Sequence, residues 1–120
     1  MENKRKVGSI YEDKACDYLT KKGYRIIARN YHAGKRSEID IMAYKDGVYV
    51  AVECKYRSGD LCGDPLEAVN FRKQQSISRA LLHFYMKHQL DMDTPARFDV
   101  IAIYGDERIE HIENAFSFVN

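Results

Sequence analysis

Two alternating stretches, Glu38 to Tyr44 and Val48 to Tyr56, flank Lys45-Asp46-Gly47. Asp-Gly between two such runs is a strong hairpin signal. With the turn at Asp46-Gly47, Lys45 faces Val48 and the residue numbers of every opposed pair sum to 93. A four-residue turn, with Tyr44 facing Tyr49, keeps the same sum. One face then sets Ile39 against Cys54, Ile41 against Val52 and Ala43 against Val50; it is wholly apolar and has to be core. The other sets Glu38 against Lys55, Asp40 against Glu53, Met42 against Ala51 and Tyr44 against Tyr49. A slip of one residue would scramble both faces, so the hydrophobic pattern fixes this register.

Asp40 opposite Glu53 is unfavourable by itself, because like charges directly across strands destabilise a sheet. Two converging carboxylates suit a hard divalent cation such as Mg²⁺ or Mn²⁺. Lys55 lies two residues beyond Glu53 on the same face, where an ammonium could hold an attacking water or a phosphate. Carboxylates, metal and ammonium together suit phosphodiester hydrolysis. A surface salt-bridge cluster built on Glu38 and Lys55 is the alternative. Glu12 borders the apolar stripe of the first helix and either points toward the sheet or caps the helix through Ser9. Lys73 lies on the stripe continued by Ile77, Ala80 and Phe84, and either snorkels or reaches the same cleft.

Around the hairpin, Ser9-x-x-Glu12 is a capping-box signature, predicting a helix from Ile10 to Lys22 that Gly23 stops. Tyr24 to Asn30 reads as a short strand, followed by a polar, basic loop from Asn30 to Ser37. Ser58 to Gly63 is a loop, and Asp64-Pro65-Leu66-Glu67 opens a second helix. One straight helix over 64–88 would be about 40 Å long, too long for a domain of this size, so a break is expected near Asn70. Phe98 to Tyr104 is a nearly continuous apolar strand, as found where both faces are covered. Arg108 to Glu113 is the last strand. The order is αβββαββ. A meander, a helical crossover and a return strand give an α/β fold with a mixed five-stranded sheet, order 1-2-3-4-5, flanked by helices.

Residues 1–120 fit a single domain. Nineteen basic and eighteen acidic side chains leave a net charge of +1, which argues against a strongly cationic DNA coat protein. The charge is uneven: residues 1–36 carry +6, residues 37–85 carry −1 and residues 86–120 carry −4. The longest apolar runs are five residues, far short of the roughly 20 a membrane helix needs, and no secretory signal follows Met1 to Lys6. Cys16, Cys54 and Cys62 form neither a disulfide framework nor a C-x-x-C pair. His32, His83, His88 and His111 read as ordinary surface residues. A cytoplasmic setting fits best, with no membrane.

Asp40 followed by Glu53-Cys54-Lys55, inside this element order, resembles the PD-(D/E)xK nuclease superfamily with its restriction-endonuclease-like fold. Gly8, Tyr11-Glu12, Ala15, Tyr18-Leu19 and Gly23-Tyr24 resemble more closely the bacterial family UPF0102 (YraN-like). So do Ser37-Glu38-Ile39-Asp40-Ile41, Val52-Glu53-Cys54-Lys55-Tyr56-Arg57 and Arg97-Phe98-Asp99-Val100. The resemblance implies a fold similar to archaeal Holliday junction resolvases, with Glu12, Asp40, Glu53 and Lys55 as catalytic positions. Mg²⁺ or Mn²⁺ would be held by Asp40, Glu53 and the Cys54 carbonyl. Lys35, Arg36, Arg57 and Lys73 are candidate phosphate contacts that position DNA rather than read it. A homodimer would suit such a reading, since cutting both strands of a junction needs two sites. The alternative is a non-catalytic nucleic-acid or protein interaction module that keeps the fold.

Overall fold

The computed structural model describes residues 4–57 and 69–120. Its elements are α1 (Lys4–Lys21), β1 (Arg25–His32), β2 (Glu38–Lys45), β3 (Val48–Arg57), α2 (Phe71–Lys87), β4 (Ala96–Tyr104) and β5 (Ile109–Phe116). One sheet holds the strands in the order β1-β2-β3-β4-β5. Only the β3–β4 pair is parallel. This is the mixed α/β sheet read from the sequence, and it is consistent with a restriction-endonuclease-like fold. The Ser58 to Gly63 loop, Cys62 and the helix opening at Asp64 to Glu67 lie outside the described residues.

The hairpin forms at Asp46-Gly47, whose φ values of 52° and 83° give the turn the twist that closes a two-residue loop. Its register is Lys45–Val48, Tyr44–Tyr49, Ala43–Val50, Met42–Ala51 and Ile41–Val52, so the predicted sum of 93 holds over these rungs. Asn70 caps α2: its backbone is extended and its side-chain oxygen accepts the Lys73 N–H at 2.9 Å. The break expected there is therefore a helix start.

α1 begins at Lys4 rather than Ile10. A capping box needs Ser9 outside the helix, and here Ser9 is inside it. The helix runs upstream through Gly8, a poor helix former, to Lys4. Its end is as read: Gly23 turns at φ 94°, Gly23 N–H donates to Thr20 and Tyr24 N–H donates to Leu19.

The helices cover opposite faces of the sheet. Ala15 and Leu19 of α1 pack on Ile41, Ala43, Val50, Val52, Ile101 and Ile103. Ile77, Ala80, Leu81 and Phe84 of α2 pack on Met42, Ala51, Phe98 and Val100. β4 thus contributes to both layers, which explains its nearly continuous apolar run. The hairpin's second face is correspondingly not an open surface, because its Met42 and Ala51 end is core. Ile39 departs from the pattern: it packs in the α2 layer, whereas Ile41 and Ala43 lie under α1. The alternation of β2 breaks at Asp40. Among the described residues, no helix is long and apolar enough to cross a membrane.

Candidate active site between parted strands

Neighbouring strands stay zipped while their backbones satisfy one another. β2 and β3 stop doing so after Ile41–Val52. Beyond that rung β2 stays on β1 as far as the His32–Glu38 pair, and β3 stays on β4 as far as Arg57–Tyr104. The rungs expected at Ile39–Cys54, Asp40–Glu53 and Glu38–Lys55 do not form. The reason lies in a side chain: the Cys54 N–H donates to Asp40 Oδ2 at 2.9 Å. A carboxylate has taken the donor that would have continued the ladder.

The parted strands open a cavity of about 260 Å³ that reaches both layers. α1 supplies Tyr11 and Glu12 from one side, and α2 supplies Lys73 from the other. Asp40 comes from β2; Glu53, Cys54, Lys55 and Tyr56 come from β3; Ile103 forms part of the wall. Asp40, Glu53, Lys55, Glu12 and Lys73 thus line one cavity, around a splayed strand pair rather than the continuous one expected.

Glu53 is the buried centre of the site, with 2 % exposure. Its Oε1 forms ion pairs with both ammonium groups, Lys73 Nζ at 3.3 Å and Lys55 Nζ at 3.4 Å. Burial and then the charge of Asp40 push its carboxyl up to about 7, against the pull of the two lysines. Asp40 lines the same cavity beside Glu53. Burial works against the charge on Lys73, but Glu53 and then Asp40 hold its ammonium above the ordinary value. Burial, followed by both carboxylates, raises the Cys54 thiol well above its usual range. The Cys54 side chain packs against the α1 layer.

Glu12 does not turn back to Ser9. Its Oε1 accepts Asn30 Nδ2 at 3.0 Å and Arg29 at 3.5 Å, which ties α1 to β1 at the cavity mouth. Burial and Asp40 raise its carboxyl, with Asn30 and Arg29 opposing. Lys35 and Arg36 line an adjoining cleft with Arg72 and Lys73, and the Ser76 hydroxyl pins that loop by donating to the Arg36 carbonyl at 2.7 Å. Arg57 does not line the cavity; its Nε is buried with no partner among the described residues.

Among the described residues, no three His, Cys, Asp or Glu side chains form a metal-holding group. Two carboxylates do meet. Mg²⁺ is commonly held by one or two carboxylates while keeping several waters, so Asp40 and Glu53 fit that ion and do not fit a closed zinc site. A cation between them would relieve the repulsion of two like charges.

A second polar cluster was not anticipated. Asp99, wholly buried, accepts His111 Nε2 at 2.7 Å, Arg97 Nε at 3.0 Å and the Asn114 N–H at 3.0 Å. Burial opposes its charge, but the bonds from His111, Arg97 and Asn114 hold its carboxyl below the ordinary value. His111 also meets the Tyr18 hydroxyl at 3.1 Å, and Arg97 donates to the Tyr24 hydroxyl. His111 is therefore not the surface residue its isolated place in the sequence suggested. The register shift between Phe98 and Val100 brings it and Asn114 onto Asp99.

Sheet order and cleft together define an α/β protein with an acid–lysine cavity between two central strands. The chain belongs to UPF0102, described as an uncharacterised protein family, whose model matches residues 11–103. That span includes every residue lining the cavity. The chain is 40 % identical over 114 residues to a UPF0102 protein of Lachnoclostridium phytofermentans, covering 95 % of each chain. It is 43 % identical over 110 residues to one of Thermodesulfovibrio yellowstonii, covering 92 % of this chain and 95 % of the relative. A UPF0102 protein of Clostridioides difficile is 42 % identical over 117 residues, covering 97 % and 100 %.

Proposed function

We propose that the cavity is the centre of a metal-dependent endonuclease of the PD-(D/E)xK kind, hydrolysing DNA phosphodiester bonds, with branched or processed DNA as its substrate class. The observation that carries this reading is the buried Glu53 beside Asp40, with two lysines on one carboxylate oxygen. Asp40, Glu53 and the Cys54 carbonyl would hold Mg²⁺ or Mn²⁺. Such an ion supplies charge neutralisation at a phosphate and lowers the pKa of a water. Lys55 would donate a hydrogen bond that orients the attacking water. Lys73 faces the phosphate from the α2 side. Glu12 holds the cavity mouth through Asn30 and Arg29. Lys35 and Arg36 position the DNA backbone.

The test is cleavage of duplex, single-stranded, flap and four-way DNA with Mg²⁺ or Mn²⁺, by the parent and by Asp40→Asn. Metal-dependent cleavage by the parent that the variant lacks supports the reading. Equal activity of the two, or no cleavage of any substrate, removes it. A specific observation keeps a second reading alongside: Lys55 and Lys73 already offset the charge of Glu53. A binding module that retains the fold would need no more than that, and would bind DNA without cutting it.

A further inference from the structure

We propose that Tyr11 and Tyr56 form a stacking platform for an unpaired nucleobase, so that the cavity takes single-stranded or frayed nucleic acid in preference to intact duplex. The inference rests on the reading of the cavity as a nucleic-acid site and narrows its substrate. The two rings lie nearly parallel, with centroids 4.0 Å apart and planes inclined by 19°. Tyr56 is 43 % exposed, so its ring is backed by Tyr11 and still open to solvent. Along β3 it alternates with Lys55 and therefore points to the α1 side of the sheet, while Lys55 and Glu53 face α2. Both rings border the same cavity as the carboxylates.

The opposite rim is basic. Lys73 belongs both to the cavity and to the adjoining cleft of Lys35, Arg36 and Arg72. One rim of the opening is thus aromatic and the other cationic, with the carboxylates between them. A nucleotide has the same division, a flat π-face at one end and a phosphate at the other. Aromatic side chains stack bases with little regard to sequence, and cationic grooves track the backbone. In a duplex each internal base is stacked on both faces and turned toward its partner. A phosphate seated on the basic rim of an intact duplex would leave the tyrosines with nothing to stack. An unpaired nucleotide reaches both rims.

Fluorescence anisotropy in chelator tests this, using a labelled thymidine oligomer and a blunt duplex of the same length. The parent should bind the single strand more tightly. Tyr56→Ala should weaken single-strand binding by about tenfold, a typical loss for one stacked base, with little change on duplex. Tyr56→Phe keeps the ring and should match the parent. An abasic strand should bind the parent and Tyr56→Ala alike. Equal losses on both nucleic acids, no loss on either, or tighter binding of duplex by the parent would overturn the proposal. Melting curves establish that each variant is folded. Because metal is absent, failure here leaves the metal reading standing, and failure of Mg²⁺ to raise the parent's melting temperature leaves the platform standing.

Discussion

Glu53 keeps its carboxyl almost out of water beside a second carboxyl, and its proton comes off near 7 rather than near 4.5. Folding therefore takes up a proton between those values. The chelated protein should lose stability as pH rises through that window, since the folded state binds more protons there than the unfolded state. Asp40→Asn removes the neighbouring charge, and its amide oxygen can still accept the Cys54 N–H. In chelator this variant should be at least as stable as the parent, by about 1 kcal/mol at most, with a flatter pH dependence. In millimolar Mg²⁺ the parent should gain stability by mass action and the variant much less. Thermal melts of both across pH decide this, and a clear loss of stability by the variant in chelator would make Asp40 a structural partner instead. Asp99 has the opposite sign. Its folded pKa lies below the unfolded value near 3.8, so its contribution is fully present above that value and fades as pH falls through the folded one. Asp99→Asn leaves Arg97 and His111 facing an amide and should cost about 3–5 kcal/mol in urea melts at neutral pH. Glu53 and Lys55 were legible because strand alternation puts alternate residues on one face; Asp40 joins them although the alternation of β2 breaks at it. Asp99 with His111, and Tyr11 with Tyr56, were not. Each pair meets through a register shift or a helix-on-sheet contact that no local pattern announces.

Helix ends repeat the contrast at the level of elements. A break near Asn70 was legible from length, because an unbroken helix from Asp64 would overrun the domain, and there Asn70 caps the start of α2. The start of α1 was not, because a good capping signature inside a helix looks the same as one at its end. Asn70→Ala should cost about 1 kcal/mol in urea melts, the usual loss for such a cap. The change also frees the backbone of Lys73, whose ammonium reaches Glu53 at 3.3 Å. The same variant should therefore lower the apparent Mg²⁺ midpoint shift or cleavage more than its stability loss explains. A variant whose melting falls while its Mg²⁺ response is unchanged would separate the cap from the site.

Across the whole molecule, the basic excess of residues 1–36 is not spread evenly over one face. Lys35 and Arg36 meet Arg72 and Lys73 in the cleft beside the cavity, held there by Ser76. If this cleft carries the DNA backbone, Lys35→Ala should weaken binding similarly for every sequence. It should also reduce the slope of log affinity against log salt by about one contact. An unchanged slope in anisotropy titrations would put the backbone elsewhere. The sheet order, parallel pairing and two apolar layers were all readable from periodicity and turn chemistry. The parting of β2 from β3 was not, because the pattern that fixes a register says nothing about where pairing stops. That parting leaves two strand edges unpaired with each other in the middle of a sheet. Raw edges recruit foreign strands, and inward-pointing charges are a known guard against it. The carboxylates and lysines of the cavity stand along this seam, so the groups proposed for chemistry are also placed where they would discourage an intruding β-segment.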